Sequence, residues 1–306
     1  MKIKIKKRIK QLEKKKKKFN IWLSKNVLKN MSTTQQLVKD LNTSRLKEGD
    51  KVMVHSSLSS IGVLENGAQS VVDALKTVIT KSGLLVMPTF IGFSMYDYLE
   101  NYKIWDVSKS RSYTGAITEC FRKNDNVIRS LHPTHSLSAW GSGAEEFVTG
   151  HEKSITPFDE ESPYRKLIDQ NFKILFIGLD LFSMTLCRAG DDYIENYPEN
   201  PYLDKTYELP IIDYSGHKIK IKTKCHNPEI SKRRRNMLLF PYLKEKIIVG
   251  KFGETHTLLV NAMDVIQIQK DLALSNKSVY GSPDELKNID EIQNDFKNYI
   301  KKGGRT

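Results

Sequence analysis

Short apolar runs that alternate with helical stretches constrain the fold of this chain more than any other feature. KVMVH (51–55), LLVMP (84–88) and KILFIG (173–178) each have the length of a strand. GAQSVVDALKTVIT (67–80) lies between the first two, and its apolar residues recur at helical spacing. ELPIIDYSGHKIKIK (208–222) is typical of a hairpin that turns at Ser-Gly. The sequence therefore predicts an α/β fold, with a mixed sheet flanked by helices and an added hairpin.

The domain organisation follows from the ends of this pattern. Residues 1–30 are predicted to form a basic arm, either amphipathic or disordered, and residues 31–275 the main domain. PDELKNIDEIQNDFKNYIKK dominates the remaining segment, 276–306, and predicts a polar C-terminal helix and tail. Within the main domain, EISKRRRNMLLFPYLKE is predicted to be helical until Pro241, because proline interrupts a helix.

Charge is concentrated at the N-terminus. The net charge of the chain is +13, and residues 1–30 contain thirteen Lys and Arg but one acid, Glu13. The rest of the chain is therefore nearly neutral. Apolar residues interrupt the lysines at roughly helical spacing, among them Ile5, Ile9 and Trp22. This pattern is compatible with a solvated extension or with an amphipathic helix on an anionic membrane surface. No recognition motif supports a specific nucleic-acid partner.

The number of cysteines and the length of the apolar runs indicate the cellular compartment. An odd, sparse set of cysteines argues against a disulfide framework. The apolar runs are too short to span a membrane, and the N-terminus lacks the apolar core of a secretory signal. We expect a cytoplasmic protein, with peripheral binding at the inner membrane face if the arm acts as an anchor.

Two polar loops are candidates for chemistry. VHSSLSSIG (54–62) follows a strand and offers hydroxyls and open amides of the kind that bind phosphate groups. RSLHPTHS (129–136) places an arginine before a proline turn. His132 and His135 lack further metal ligands nearby, so we interpret them as hydrogen-bonded structural histidines and expect no metal.

These segments together resemble a known family. VHSSLSSIG, GAQSVVDAL, LLVMPTF, WDVSKSRSYTGAITECFRK, RSLHPTHSLSAWG, ESPYRKLI and KILFIG occur in the order and spacing of the aminoglycoside N3-acetyltransferases, which are distinct from the GNAT acetyltransferases. The resemblance runs from about Thr33 to about Leu272. It implies the fold of that family and an acetyl-CoA-dependent transfer to an amine of a sugar.

The resemblance also implies a cofactor site. In the family the first loop binds the CoA pyrophosphate and pantetheine. The second loop lies near the cofactor through its Arg-Ser pair, which corresponds to Arg129 and Ser130. The first-loop positions that correspond to this role are His55, Ser56, Ser57, Leu58 and Ser59.

The expected catalytic histidine of the family is not matched. Members carry Thr-x-x-His or Thr-x-His after the strand that corresponds to KILFIG, with Glu shortly after, and the histidine is the proposed general base. Here Thr185 and Leu186 match, Cys187 stands at the histidine position, and Gly190 or Asp191 stands at the glutamate position. A cysteine is a poorer base than imidazole but a better nucleophile once ionised.

Four interpretations of Cys187 follow. In one, His226 from a later loop is the base and Asp191 or Asp192 orients it. In a second, Cys187 accepts the acyl group in a ping-pong scheme. In a third, the transferase chemistry is lost and the fold binds CoA or a sugar without turnover. In a fourth, Cys187 is buried packing beside an unidentified base.

The acceptor is the least constrained element. KTKCHNPEISKRRR (222–235) is basic, which suits an anionic acceptor such as a nucleotide-sugar. We expect an acyl-CoA-dependent N-acyltransferase that acts on an amino-sugar precursor of a surface polysaccharide. The alternatives are an inactive CoA- or sugar-binding protein and an aminoglycoside N3-acetyltransferase that confers resistance.

Overall fold

Ten strands form two sheets in the computed structural model, which describes residues 15–16, 31–90 and 94–304. The strands are β1 Lys51–Ser56, β2 Leu84–Pro88, β3 Trp105–Asp106, β4 Ile128–Arg129, β5 Leu137–Gly141, β6 Lys173–Ile177, β7 Tyr202–Ile212, β8 Lys218–His226, β9 Ile248–Phe252 and β10 Thr255–Asn261. The larger sheet has the order β4-β5-β2-β1-β6-β10-β9, and the smaller has the order β3-β7-β8.

The larger sheet is mixed, as the sequence predicts. Its centre is parallel, because β1 lies between β2 and β6 and runs parallel to both. Antiparallel pairs flank this centre on both sides, β5 against β2 and β10 against β6. The predicted hairpin is confirmed as β7 and β8, which pair antiparallel in the smaller sheet. The carboxyl ends of the parallel strands share one edge, where loops gather side chains for a site.

Twelve α-helices of the described residues surround the sheets. They are α1 Thr34–Thr43, α2 Ala68–Ile79, α3 Met95–Glu100, α4 Ala116–Phe121, α5 Ala144–Val148, α6 Pro163–Asp169, α7 Leu186–Tyr193, α8 Pro228–Arg233, α9 Phe240–Leu243, α10 Ala262–Leu274, α11 Pro283–Lys287 and α12 Ile289–Lys301. Short 3₁₀ turns are at Leu58–Ser60, His151–Lys153, Leu181–Ser183 and Asn236–Leu239.

Both faces of the central strands are buried. Along β6, Ile174 and Phe176 pack into one apolar cluster, while Leu175 and Ile177 pack into another on the opposite face. This alternation follows from the two-residue period of a strand. Continuous apolar runs such as KILFI are what a parallel sheet covered on both faces requires. A third, smaller cluster lies beneath the β7–β8 hairpin.

The segment 229–245 differs from the single helix expected up to Pro241. α8 ends at Arg233, and Arg234 adopts an extended backbone conformation with ψ of 127°. The amide of Arg235 then donates to the carbonyl of Val279, 2.6 Å away, which fixes the chain outside the helix. Pro241 lies in the first turn of α9, where a missing N–H costs nothing, so it begins a helix rather than ending one.

The C-terminal segment packs against the body through an apolar stripe. Phe296 of α12 is only 7 % exposed, and its ring meets Phe240 edge-on with centroids 5.2 Å apart. The Tyr299 hydroxyl lies 2.6 Å from the carbonyl oxygen of Lys244. The expected polar helix is therefore two helices, of which the second contributes to the core.

The predicted N-terminal arm lies almost wholly outside the described residues. Of residues 1–30, the structure describes Lys15 and Lys16. Within the described part of the chain, none of the helices has the length and apolar character needed to span a membrane.

Candidate functional site

The serine-rich loop occupies the carboxyl end of β1. His55 is buried and stacks on Phe176 with ring centroids 5.2 Å apart, and burial lowers its pKa to about 4. The Ser57 amide donates to the carbonyl of Ile177 at 3.0 Å, which fastens the loop to β6. The loop thus begins at the junction of two parallel strands, a position where α/β folds bind ligands.

The outer part of this loop presents hydroxyl groups. Leu58 begins a 3₁₀ turn, and the hydroxyls of Ser57 and Ser59 lie 3.2 Å apart. The Ser56 hydroxyl is buried without a hydrogen-bond partner among the described residues. Ser56, Ser57 and Ser59 therefore offer polar groups to a ligand, whereas His55 faces the core. Their role in binding CoA stays a prediction.

Arg129 has its guanidinium occupied by the protein. It is 3 % exposed and lies over the Trp105 ring at 4.8 Å. It donates to the Ser136 hydroxyl at 3.0 Å, to the Ser110 carbonyl at 2.6 Å and to the Thr89 carbonyl. In this conformation Arg129 joins three loops through its guanidinium, and its place beside the cofactor stays a prediction.

Ser130 is also used internally. Its hydroxyl lies 2.8 Å from His151 Nδ1 and accepts from the Leu137 amide at 2.9 Å. His132 stacks on His151 with centroids 4.4 Å apart, and burial lowers its pKa to about 3. Ser130 and His132 therefore stabilise the turn, as expected for His132 but not for Ser130.

A cavity of about 430 Å³ lies beyond the proline turn. Two imidazoles line it, those of His135 and His226, with ring centroids 6.2 Å apart. Burial holds the pKa of both well below the usual value for histidine, and nearby Arg188 lowers both further. Both rings are therefore neutral at pH 7, the state in which an imidazole accepts a proton.

His226 has the features of an available base. It ends β8 and is 4 % exposed, and neither ring nitrogen has a hydrogen-bond partner among the described residues. Its Nε2 lies 3.7 Å from Asp191 Oδ2, too far for a hydrogen bond in this conformation. Tyr202 packs against its ring with centroids 4.5 Å apart. The structure thus brings His226 and Asp191 together, as the sequence predicts.

Asp191 is held in a protonated state by its surroundings. Burial raises its pKa to about 8, although the Tyr280 hydroxyl donates to Oδ2 and Arg188 opposes the shift. Asp192 accepts from the Tyr202 hydroxyl at 2.6 Å and from the Thr156 hydroxyl at 2.9 Å, and burial raises its pKa to about 6. Asp191 is thus positioned as a neutral neighbour of His226 at pH 7.

Cys187 lies in the first turn of α7, outside the lining of the cavity. Its side chain is 0 % exposed within the main apolar cluster, and burial raises its pKa to about 12. A nucleophilic cysteine needs a thiolate and access to the acyl donor. This placement fits the interpretation of Cys187 as packing and does not support the ping-pong scheme.

Two arginines complete the cavity wall. Arg188, one residue after Cys187 on α7, and Arg234, just after α8, both line it. One guanidinium nitrogen of each is buried without a partner, and no hydrogen bond or ion pair joins either guanidinium to the described residues. Burial, and after it the positive charge of Arg188, lowers the pKa of Arg234 to about 10.

Sequence reasoning missed three contributors to this site. His135 is predicted to have a structural role. Its Nδ1 does lie 3.1 Å from the Thr134 hydroxyl, but its ring also lines the cavity. Arg234 is predicted to be part of a helix within the basic segment, and Tyr280 lies beyond the segments that carry the family resemblance. The two histidines of HPTHS are the local signal that could have pointed to His135. The positions of Arg234 and Tyr280 depend on where neighbouring helices end, which the spacing of apolar residues does not predict.

No metal centre is evident in the described ranges. There, no group of three His, Cys, Asp or Glu side chains is placed to hold a metal ion. The described side chains of the site are a hydroxyl-rich loop, two neutral imidazoles and two unpaired guanidinium groups.

Comparison with known proteins identifies the family. The profile of the aminoglycoside 3-N-acetyltransferase family matches residues 53–273. The SPbeta prophage-derived aminoglycoside N(3')-acetyltransferase-like protein YokD of Bacillus subtilis is 35% identical over 170 residues, covering 50% of this chain and 62% of the relative. Aminoglycoside N(3)-acetyltransferase VII of Streptomyces paromomycinus is 26% identical over 194 residues, covering 59% and 66%. The match therefore spans less than two thirds of either relative.

Solved structures agree on the fold. The crystal structure of YokD from Bacillus subtilis superposes with a TM-score of 0.65 at 26% identity, covering 81% of this chain and 96% of that one. A structure described as AAC-IIIb binary with CoASH gives a TM-score of 0.69 at 22% identity, covering 83% and 100%. The mixed sheet, its flanking helices and the family profile over most of the chain lead to one conclusion: this chain belongs to the aminoglycoside 3-N-acetyltransferase family.

Proposed function

We propose that this protein transfers an acetyl group from acetyl-CoA to an amine of a small amino-sugar acceptor. The observation that carries the proposal is the cavity in which His226 and His135, both neutral at pH 7, lie close together. Membership of the family supports the reaction class. One solved neighbour is described as a complex with CoASH, which supports the donor.

The donor is proposed to bind at the hydroxyl-rich loop after β1. Ser57 and Ser59 present their side chains there, and the buried Ser56 hydroxyl has no protein partner among the described residues. Hydroxyl and amide groups in such loops bind phosphate oxygens. Arg129 acts indirectly in this proposal, because its guanidinium holds the loops around Thr89 and Ser110 in place.

His226 is the proposed general base, and Asp191 its positioning residue. The amine nitrogen attacks the thioester carbonyl carbon, a C–N bond forms, and the C–S bond breaks. The imidazole takes the proton that the amine loses, and the CoA thiolate that leaves takes up a proton in turn. A base of this kind contributes about 10²–10⁴ in rate. Cys187 has no step in this scheme, since its thiol is buried and protonated at pH 7.

The names of the relatives bear on the acceptor. Curated relatives are aminoglycoside N(3)-acetyltransferases, and one solved neighbour is described as bound to sisomicin. These names favour an aminoglycoside over a polysaccharide precursor as the first acceptor to test. Acylation of a surface-polysaccharide precursor, expected from the basic segment 222–235, has no support among the relatives.

The test is CoA release from acetyl-CoA with a panel of amines that includes sisomicin and simple amino sugars. We expect acceptor-dependent release, lowered about 100-fold or more in kcat by His226→Ala. Cys187→Ser is the control, because Cys187 is buried outside the cavity lining, and it should retain most of the activity. Loss of activity in Cys187→Ser with His226→Ala active would reverse the two assignments.

Acetyl-CoA binding is measured in parallel by thermal shift. A ligand of the folded state raises stability with the logarithm of its concentration once it exceeds its Kd. Binding without release from any acceptor would favour a protein that binds CoA without turnover. Absence of both binding and release, in a folded protein, would refute the proposed function.

A further inference from the structure

The two cavity arginines have no protein partner for their guanidinium groups among the described residues. Arg188 and Arg234 each have a buried guanidinium nitrogen without a partner. By contrast, the neighbouring Arg233 forms an ion pair with Glu199, and the buried Arg129 has four acceptors. A buried charge left unpaired is costly, so such groups normally meet an anion.

Among the described residues, no carboxylate side chain lines the cavity. Three cationic side chains line it, Arg188, Lys232 and Arg234. Of these, Lys232 is paired with Glu229 at 2.5 Å, whereas the two arginines have no ion pair with the described residues. Asp191 lies behind the wall, where burial keeps it protonated at pH 7 and its Oδ2 accepts from the Tyr280 hydroxyl. The positive charge of the two arginines therefore faces the cavity uncompensated.

The backbone builds this arrangement. α8 ends at Arg233, and the extended backbone at Arg234 turns its side chain away from the exposed helical face. Arg235 is anchored to Val279, which fixes the turn from the far side. Arg188 projects from α7, one residue after the buried Cys187. Two separate elements thus place guanidinium groups in one wall of the cavity. A planar guanidinium group binds an oxyanion through two parallel hydrogen bonds.

We propose that Arg188 and Arg234 bind an anionic group of the acceptor, so that the acceptor is an amine that also carries a phosphate, sulfate or carboxylate. This inference rests on the proposed function for the amine, and it makes the acceptor class different from purely cationic aminoglycosides. The two arginines and the imidazole of His226 line the same cavity of about 430 Å³. One small molecule that carries both an anionic group and an amine can therefore contact all three.

Anion binding also supports the base. Burial is the main cause of the lowered pKa of His226, and the positive charges of Arg188 and, after His135, of Arg234 lower it further. An anion that neutralises these two charges therefore strengthens His226 as a proton acceptor. The correct acceptor would thereby activate the residue that deprotonates its own amine.

Phosphates of CoA are a second source of the same chemistry. The experiment therefore measures binding of inorganic phosphate to the full chain saturated with CoA, at constant ionic strength. We expect saturable phosphate binding that Arg234→Gln weakens about tenfold or more, because a charge-assisted hydrogen bond is lost. Arg233→Gln is the matched control, one residue away and paired with Glu199, and should change phosphate affinity less than about twofold. If Arg234→Gln does not fold, Arg234→Lys replaces it and should weaken binding by removing the planar fork.

A kinetic comparison gives a second readout. Glucosamine and glucosamine 6-phosphate share one amine and differ by one phosphate, so the ratio of their kcat/KM values reports the anion alone. We expect the phosphate ester to be preferred by the wild type and by Arg233→Gln, and the preference to fall about tenfold or more in Arg234→Gln.

Several outcomes would overturn the inference while leaving the proposed function intact. One is acetyl transfer to sisomicin that Arg234→Gln leaves unchanged or increases, with no phosphate binding. Another is phosphate binding that disappears when CoA is present, together with weaker CoA binding by Arg234→Gln, which would assign the arginines to the donor. Phosphate binding that depends on Arg234 in a protein that does not bind acetyl-CoA would instead support the anion site and refute the proposed function.

Discussion

At the scale of single residues, burial determines which groups are available for chemistry. Cys187 and His226 are both nearly inaccessible, but burial has opposite consequences for them. It raises the pKa of the thiol and so removes the thiolate, whereas it lowers the pKa of the imidazole and so preserves the neutral base. Cys187 therefore stays protonated at pH 7, whereas His226, at the end of β8, lies beside Asp191 as a neutral imidazole.

Asp191 predicts a pH dependence of stability. Its folded pKa of about 8 exceeds the ordinary value, so between about pH 4 and pH 8 the folded state binds more protons than the unfolded state. Stability contributed by this group is therefore present at low pH and lost as the pH rises to 8. Asp191→Asn cannot titrate, so urea unfolding should show its stability relative to wild type improving from pH 5 to pH 8. The slope should approach about 1.4 kcal/mol per pH unit.

Asp192→Asn is the control for that measurement. Burial raises the pKa of Asp192 to about 6. The stability difference between Asp192→Asn and the wild type should therefore change up to about pH 6 and stay constant from there to pH 8. A constant difference between Asp191→Asn and wild type across the whole range would show that Asp191 is ionised in the folded state.

At the scale of elements, helix ends determine the site more than helix interiors do. The stretch RRR at 233–235 has helical propensity throughout, yet only Arg233 is helical. The tertiary contact from Arg235 to Val279 competes with the next helical hydrogen bond and prevails. A sequence pattern predicts that helix, but its end depends on a segment about 45 residues later.

The C-terminal helix α12 gives a prediction at the same scale. Phe296 is 7 % exposed and packs on Phe240, so Phe296→Ala should destabilise the protein by about 3 kcal/mol, the typical cost of removing a buried aromatic ring. Leu274→Ala, at a position 88 % exposed, should change stability by less than about 0.5 kcal/mol. Chemical unfolding of the full chain measures both. Equal effects of the two changes would mean that α12 does not contribute to the cooperative core.

At the scale of the whole molecule, the basic arm and the body are distinct in charge. Residues 1–30 account for nearly all of the net charge of +13, and the body is almost neutral. We expect the intact chain to sediment with vesicles that contain anionic lipid and to be released by salt, since each basic residue near such a surface contributes about 1 kcal/mol. A chain lacking residues 1–30 should remain in the supernatant, and neutral vesicles are the control. Equal sedimentation of both chains would eliminate the arm as a membrane anchor.

The sequence by itself determined the α/β class, the three central strands and the hairpin, because apolar periodicity and turn residues act over short distances. KVMVH, LLVMP and KILFIG become the parallel centre of the sheet. The order of its motifs also identified the family, and proximity of His226 to Asp191 was anticipated. These features rest on local pattern or on motif order along the chain.

Only the tertiary structure decided which polar side chains face the cavity. The Arg129 side chain turns inward to acceptors on three loops, whereas Arg234 lines the cavity with a buried guanidinium nitrogen that has no partner among the described residues. His135 reached the cavity while His132, three residues earlier, stacked on His151. Spacing along the chain does not distinguish such pairs, because the direction of each side chain depends on packing between segments that are distant in sequence.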